Sequence, residues 1–303
     1  MDDIDLKIIL LLMNNSRLTY REISNHLGLS VNAVYKRIQA LIDIKTIEKF
    51  TARLKPYAIN AIYTFIFGQS DAQDMDKAII ELSKHDNTWQ IALSSRNYVY
   101  IGAMLENIHQ LDDYASFVSQ VVKIHSPKIG LLSGVHYTAP IPYIVPKSRS
   151  MNFDQLDIDI IRSLHNDSRK PVSEIADEVN STSNTIRRRL TRMIEEGIIE
   201  LSINFNPEAS SDIFATFQIT VKPSVDKNEI AQILNDKFHP NLFYCWTFSN
   251  LPNIILCWVW ANNTKELTEL VENIKKENID SIVFDIMYKV YYFDTWKEKI
   301  LYK

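Results

Sequence analysis

LDIDIIRSLHNDSRKPVSEIADEVNSTSNTIRRRLTRMIEEGIIE, Leu156–Glu200, lies without a gap over IDLKIILLLMNNSRLTYREISNHLGLSVNAVYKRIQALIDIKTIE, Ile4–Glu48. Asp157 falls on Asp5, Ile160 and Ile161 on Ile8 and Ile9, and Leu164 on Leu12. Ser168-Arg169 falls on Ser16-Arg17, Glu174-Ile175 on Glu22-Ile23, Asn184 on Asn32 and Arg189 on Arg37. Unlike positions mostly exchange like for like, as Leu27 does with Val179. So long a match marks an internal repeat, which organises the chain before any single motif does.

Each copy opens with an amphipathic helix, apolar at Ile4, Ile8, Leu11 and Leu12 in the first. A second, short helix starts at Thr19, where Thr19-Tyr20-Arg21-Glu22 fits a capping box; Pro171 stands at the matching start. The chain must then turn sharply at Gly28 or Asn180, the residue types that best tolerate a left-handed backbone. Ser30 and Thr182 cap a third helix whose buried stripe is Val34, Ile38 and Leu41, or Ile186, Leu190 and Met193. Helix, tight turn, helix at this spacing is the helix-turn-helix pattern. TIEKFTARLKP and GIIELSINFNP follow and alternate like small strand pairs, which predicts a wing for each copy.

At about 100° per residue, the face of the third helix opposite its stripe carries Asn32, Lys36, Gln39 and Ala40. In the second copy it carries Asn184, Arg188, Thr191 and Arg192, with Arg37, Arg187 and Arg189 on the flanks. Asn and Gln can pair with adenine and Arg with guanine, while flanking arginines suit phosphates. The chain's formal net charge is -4, so its positive charge is concentrated locally. Double-stranded DNA is the expected partner. The expected contacts are Arg21, Asn32, Lys36, Arg37, Gln39 and Lys49 in the first copy. In the second they are Asn184, Thr185, Arg187, Arg188, Arg189 and Arg192. The first copy adds a basic wing at Lys45, Lys49, Arg53 and Lys55 that the second lacks, so an operator with unlike half-sites is expected.

After each copy the pattern predicts strand, helix, strand, strand, helix, strand. The order βαββαβ is the ferredoxin-like arrangement. The fold class is therefore α+β: two winged helix-turn-helix domains, 1–55 and 153–207, alternating with two βαββαβ domains, 56–138 and 208–303. The proline-rich stretch 139–152 reads as a linker.

The run LDxxIIxxLxxxSR…EIAxxV…RRRLxRxxEEGII, followed by a βαββαβ domain, resembles the Lrp/AsnC transcriptional regulators, with two family units fused in one chain. The resemblance implies a RAM-type βαββαβ domain that pairs through its sheet, here within one chain or between two, and that can bind a small effector. Self-association is expected on the same ground. Trp258 and Trp260, alternating onto one strand face, are candidates for the paired surface. Family members often carry glycine and aspartate in the loop after the second strand. Here that loop is Ser94, Ser95, Arg96 and Asn97, or Ser249 and Asn250 within Phe248–Asn253, with neither residue in place. A plain hairpin turn is the favoured reading of these possible effector loops.

Composition narrows the classes further. Hydrophobic content of 46% and charged content of 23% suit a globular protein. The acidic start MDDIDLKIIL is unlike a secretory signal, and no apolar run approaches the roughly 20 residues of a membrane span. A cytoplasmic protein with Cys245 and Cys257 reduced is expected. No close metal-ligand spacing, phosphate loop or nucleophile elbow is present, so neither catalysis, metal nor cofactor is expected. One enzyme reading competes, because sirohaem decarboxylases resemble the same architecture. They carry a histidine- and arginine-containing motif around the second strand. NTWQIALSSRNYV offers only Arg96 there, and Tyr244, Trp246, Trp258 and Trp260 could line a pocket or simply pack the sheet.

Overall fold

A computed structural model describes residues 1–136 and 153–302, so the stretch read as a linker, 139–152, lies outside the described residues. The first half holds α1 (Asp3–Asn14), α2 (Tyr20–Leu27), α3 (Val31–Asp43), β1 (Ile47–Leu54), β2 (Ile62–Gln69), α4 (Met75–Ser83), β3 (Thr88–Ser94), β4 (Tyr98–Leu105), α5 (Leu111–Val122) and β5 (Lys128–His136). The second repeats the order with α6 (Gln155–Leu164), α7 (Val172–Glu178), α8 (Ser183–Glu195), β6 (Ile199–Phe205), β7 (Ile213–Val221), α9 (Lys227–Phe238), β8 (Leu242–Phe248), β9 (Ile254–Ala261), α10 (Thr264–Ile274) and β10 (Ile279–Tyr292). It ends in a short α11 (Trp296–Lys299). The secondary structure is mixed α+β, as the pattern predicts.

The four segments gather into two compact units rather than four. One takes both helix-turn-helix copies, Ile4–Ala61 and the stretch ending at Asn206, with the chain's end from Asp294. The other takes both βαββαβ segments, Ile62–Thr138 and Pro207–Phe293, with Met1–Asp3. The last residues of 208–303 thus belong with the helix-turn-helix copies. Thr295 starts α11 with a capping box, Lys297 Nζ donates to the Leu54 carbonyl at 2.9 Å, and Leu301 enters the second copy's core.

Within the helix-turn-helix unit the repeat becomes a local near-twofold. Ser16 and Ser168, equivalent in the repeat, meet through their hydroxyls at 2.6 Å, buried. Arg17 Nη1 donates to the carbonyls of Ser168 and Lys170 at 2.6 and 2.9 Å. Its counterpart Arg169 donates to those of Ser16 and Leu18 at 2.7 and 3.0 Å. The two expected wings do not form as separate hairpins. Each copy supplies one strand, and β1 pairs antiparallel with β6, Thr51 facing Ser202. Ala52 and Leu54 from β1 then join Ile160, Ile186, Leu190 and Met193 in the second copy's core. An eight-residue stretch can satisfy its backbone groups only by finding a partner strand, and the other copy provides it.

In the other unit the two halves pair within the chain, closing one barrel in the order β10-β3-β4-β2-β5-β8-β9-β7. The last strand of each half is shared: β5 pairs β2 up to Leu131 and β8 from Leu132, while β10 pairs β7 and then β3. Helices cover the outside. In the first half Ala78, Leu82, Tyr114 and Val118 pack on Ile66, Ile91 and Ile101; in the second Ile230, Leu234, Leu267 and Leu270 pack on Ile219, Cys257 and Val259. The opposite strand faces meet through aromatic rings: Phe65 lies 5.3 Å from Trp246, Phe67 stacks on Tyr100 at 5.7 Å, and Trp246 meets Trp258 at 5.3 Å. Trp258 and Trp260 are both buried. Gly130 makes room for this layer, because a Cβ there would sit 2.5 Å from the Phe248 ring.

Candidate nucleic-acid interface

The turn residues place the third helices. Gly28 (φ +66°) and Asn180 (φ +51°) both take the left-handed backbone that the helix-to-helix turn needs. Ser30 Oγ accepts from the Ala33 amide at 3.1 Å and Thr182 Oγ1 from the Thr185 amide at 3.2 Å, starting α3 and α8. Thr19 and Glu22 complete the capping box of α2. The stripes Val34, Ile38, Leu41 and Ile186, Leu190, Met193 are buried, which fixes which face of each helix turns outward.

That face is not the full set of residues read from the sequence. On α3, Asn32 and Lys36 are exposed, as is Arg21 on α2, while Gln39 is half-buried. Arg37 is held by Asp5 at 2.6 Å. On α8, Asn184, Arg187 and Arg188 are exposed, Arg187 Nη1 donating to Asn184 Oδ1 at 3.2 Å, and Thr185 is half-buried. Arg189 is tied to Asp154 at 2.6 Å and to Asp157 at 3.0 Å, and Arg192 also binds Asp157. The Arg189 guanidinium in turn holds the Asp154 carboxyl below the usual carboxylate range. Of the four clustered arginines, two therefore anchor α8 to α6 and two face outward.

The basic wing also changes character. Lys49 Nζ donates to Asn166 Oδ1 at 2.7 Å, and burial pulls its ammonium below its ordinary value. Arg53 is buried on Asn204 Oδ1 at 3.1 Å, and burial lowers Lys55 as well. These cations support the β1–β6 ribbon. Sequence reasoning passed over two residues that the geometry exposes on α3, Val31 (45% exposed) and Tyr35 (46%), with Tyr35 set edge-on to Tyr20 at 5.4 Å. An apolar residue one position from a helical stripe reads as core, and only the packing shows otherwise.

The possible effector loops hold sheet edges. Ser95 Oγ accepts from the Ile286 amide at 3.0 Å, and Arg96, at φ +59°, donates through Nε to Asp285 at 2.9 Å. Asn97, also at positive φ, accepts at its carbonyl from the Ser70 amide, and Ser94 ends β3 with its hydroxyl buried. In the other half the Ser249 amide donates to the Leu131 carbonyl, and Asn250 brackets the same strand, accepting from the Leu131 amide and donating to the Ile129 carbonyl, each at 2.8 Å. Each loop thus clasps the last strand of the opposite half just before that strand begins to pair with the loop's own half, at Met287 and at Leu132. Asp285 is fully buried and also accepts from Tyr100 at 3.0 Å. Burial, then this carboxylate, pushes the Tyr100 hydroxyl far above its ordinary pKa. Among the described residues no group of three histidine, cysteine, aspartate or glutamate side chains could hold a metal ion.

Comparison with known proteins agrees at both copies. Residues 1–42 match the AsnC-type helix-turn-helix domain, and residues 153–200 match a winged helix-turn-helix DNA-binding domain. An uncharacterised HTH-type transcriptional regulator of Pyrococcus furiosus is 42% identical over 67 residues, 22% of this chain and 45% of that protein. The HTH-type transcriptional regulator FL11 of the same organism is 26% identical over 138 residues, 45% of this chain and 91% of that protein. The chain spans about half the length of several curated relatives it matches. Among solved structures, the sirohaem decarboxylase NirDL covers 99% of this chain and 96% of its own, with a TM-score of 0.60 at 10% identity. At that identity the likeness shows the fold, helix-turn-helix copies and sheets together. The first helix-turn-helix copy is thus similar to the AsnC type, the second to winged helix-turn-helix DNA-binding domains, and stretches of the chain are similar to HTH-type transcriptional regulators.

Proposed function

We propose that the chain is a sequence-specific DNA-binding transcriptional regulator in which one polypeptide does what a family dimer does. The observation that carries this reading is the pair of helix-turn-helix copies joined by β1–β6, each turning a third helix outward with an amide and a cation on its face: Asn32 with Lys36, and Asn184 with Arg188. Asparagine offers a bidentate match to adenine and arginine to guanine, and helix-turn-helix proteins present this helix to the major groove. No described helix is long and apolar enough to cross a membrane. The reading places the chain with the DNA in the cytoplasm. Gel-shift titration of the full chain against genomic fragments is the test. Saturable binding to a subset, resistant to competitor DNA, supports it, whereas binding that competitor abolishes for every fragment would end it.

The whole-chain likeness to NirDL gives the enzyme reading its one support. Against it, Arg96 is committed to Asp285, and the inner rings pack on one another. Titration with iron uroporphyrin should leave the porphyrin Soret band unshifted; a saturable red shift favours the tetrapyrrole reading. Association between chains, implied by the family likeness, would use the exposed Phe284, Ile286 and Tyr288 of β10. Light scattering across a dilution series checks it, and a constant single-chain mass would rule it out.

A further inference from the structure

The two third helices present different chemistry at matching positions. In the repeat, Val31 corresponds to Ser183, Tyr35 to Arg187 and Lys36 to Arg188, while Asn32 corresponds to Asn184. All four α3 residues are exposed, with Val31 and Tyr35 forming an apolar strip beside Asn32. On α8 the counterpart of Tyr35 is an exposed arginine. Pairing of Arg189 and Arg192 with Asp154 and Asp157 removes the other two arginines from that face, so Arg187 and Arg188 alone carry its outward positive charge.

Resting on the DNA-binding reading, we infer that the chain recognises a deliberately unequal site: a first half-site with thymine opposite Val31 and Tyr35, and a second with guanine opposite Arg187 and Arg188. The major groove shows one apolar feature, the thymine C5-methyl, and one strong double acceptor, guanine O6 with N7. An exposed valine gains by contact with the first and offers guanine's acceptors no donor, and the tyrosine ring beside it widens the apolar contact. Two arginines satisfy guanine and gain nothing from a methyl group. The shared Asn32 and Asn184 assign one common adenine to both half-sites. A homodimer presents the same helix twice and so reads a palindrome. The fused chain is released from that requirement, and its divergence falls on the outward positions while the caps, turns and buried stripes stay matched.

Selection of full-length chain against a pool of random-sequence duplexes tests this. The expected motif has two half-sites that share an adenine and differ as thymine against guanine. Arg188→Ala should reduce discrimination for guanine about ten- to a hundredfold at one position of one half-site only. The double variant Val31→Ser, Tyr35→Arg should move the other half-site toward guanine and make the motif more nearly palindromic. These residues are exposed, and an unchanged melting temperature confirms that each variant is folded. A palindromic motif for the parent chain, or a double variant that selects the parent's motif, overturns the inference and leaves DNA binding standing. Enrichment of no sequence overturns DNA binding and the inference together.

Discussion

Asp157 shows how one side chain can decide what an arginine cluster means. It is fully buried, its Oδ2 accepts from the Asp154 amide at 3.1 Å, and it receives both Arg189 and Arg192. Removing one member of a buried pair strands the others' charge, so Asp157→Ala should lower stability by about 2–3 kcal/mol, somewhat discounted because Arg192 is partly exposed. Asp5, at the repeat-equivalent position and bonded to Arg37, is 18% exposed rather than fully buried, so Asp5→Ala should cost clearly less; equal losses in denaturant titration would contradict this assignment. Acid should act on the same unit. Asp154, beside Arg189, and Asp294, bonded to His165, both sit below the usual carboxylate range. Depressed carboxylates stabilise above their unfolded pKa of about 4, and that contribution disappears as pH falls through the lower folded value. Asp294→Asn should therefore melt closer to the parent at about pH 3 than at about pH 6, and parallel curves would refute it. Cys245 and Cys257 are buried, and burial pushes the Cys257 thiol up, so a thiol reagent should label neither until denaturant is added. The sequence showed where positive charge collects, but not which arginines face inward, since that depends on acids more than thirty residues away.

At the scale of elements, local signals were legible and partners were not. Capping boxes, left-handed turns and strand periods depend on residues near one another, and the strand, helix, strand, strand, helix, strand order stands after each copy as the pattern predicts. The period of two in TIEKFTARLKP says strand but carries no information about which strand lies alongside; a private hairpin and the β1–β6 ribbon leave the same pattern. The loops after β3 and β8 were readable as lacking the family's glycine and aspartate, yet their grip on β10 and β5 came only with the fold. Asn250→Ala removes two bonds to β5 and should cost about 1–3 kcal/mol, with hydrogen exchange rising first around Leu131. Because these loops are engaged structurally, none of the twenty amino acids should raise the melting temperature in a thermal-shift screen; one saturable rise would revive the effector reading. Gly130→Ala should cost about 1–3 kcal/mol through its collision with Phe248, and a neutral result would mean that the ring layer yields.

At the scale of the whole molecule, the repeat announced twofold organisation, but the chain's exchange between units did not show in the sequence. A βαββαβ pattern running to the C-terminus hid the departure of Asp294 onward toward the helix-turn-helix copies, because a four-residue helix such as Trp296–Lys299 gives no periodic signal. The ribbon of β1 and β6 and the shared strands β5 and β10 have a consequence for how the molecule lives among its relatives. Subunits of an ordinary homodimer separate and recombine, and can trade places with those of any similar protein made alongside them. Here the two halves are encoded together and meet at a fixed local concentration, whatever the number of copies made. Dilution cannot separate them, no half can be lost to a mixed pair, and a substitution changes one side without being copied onto the other.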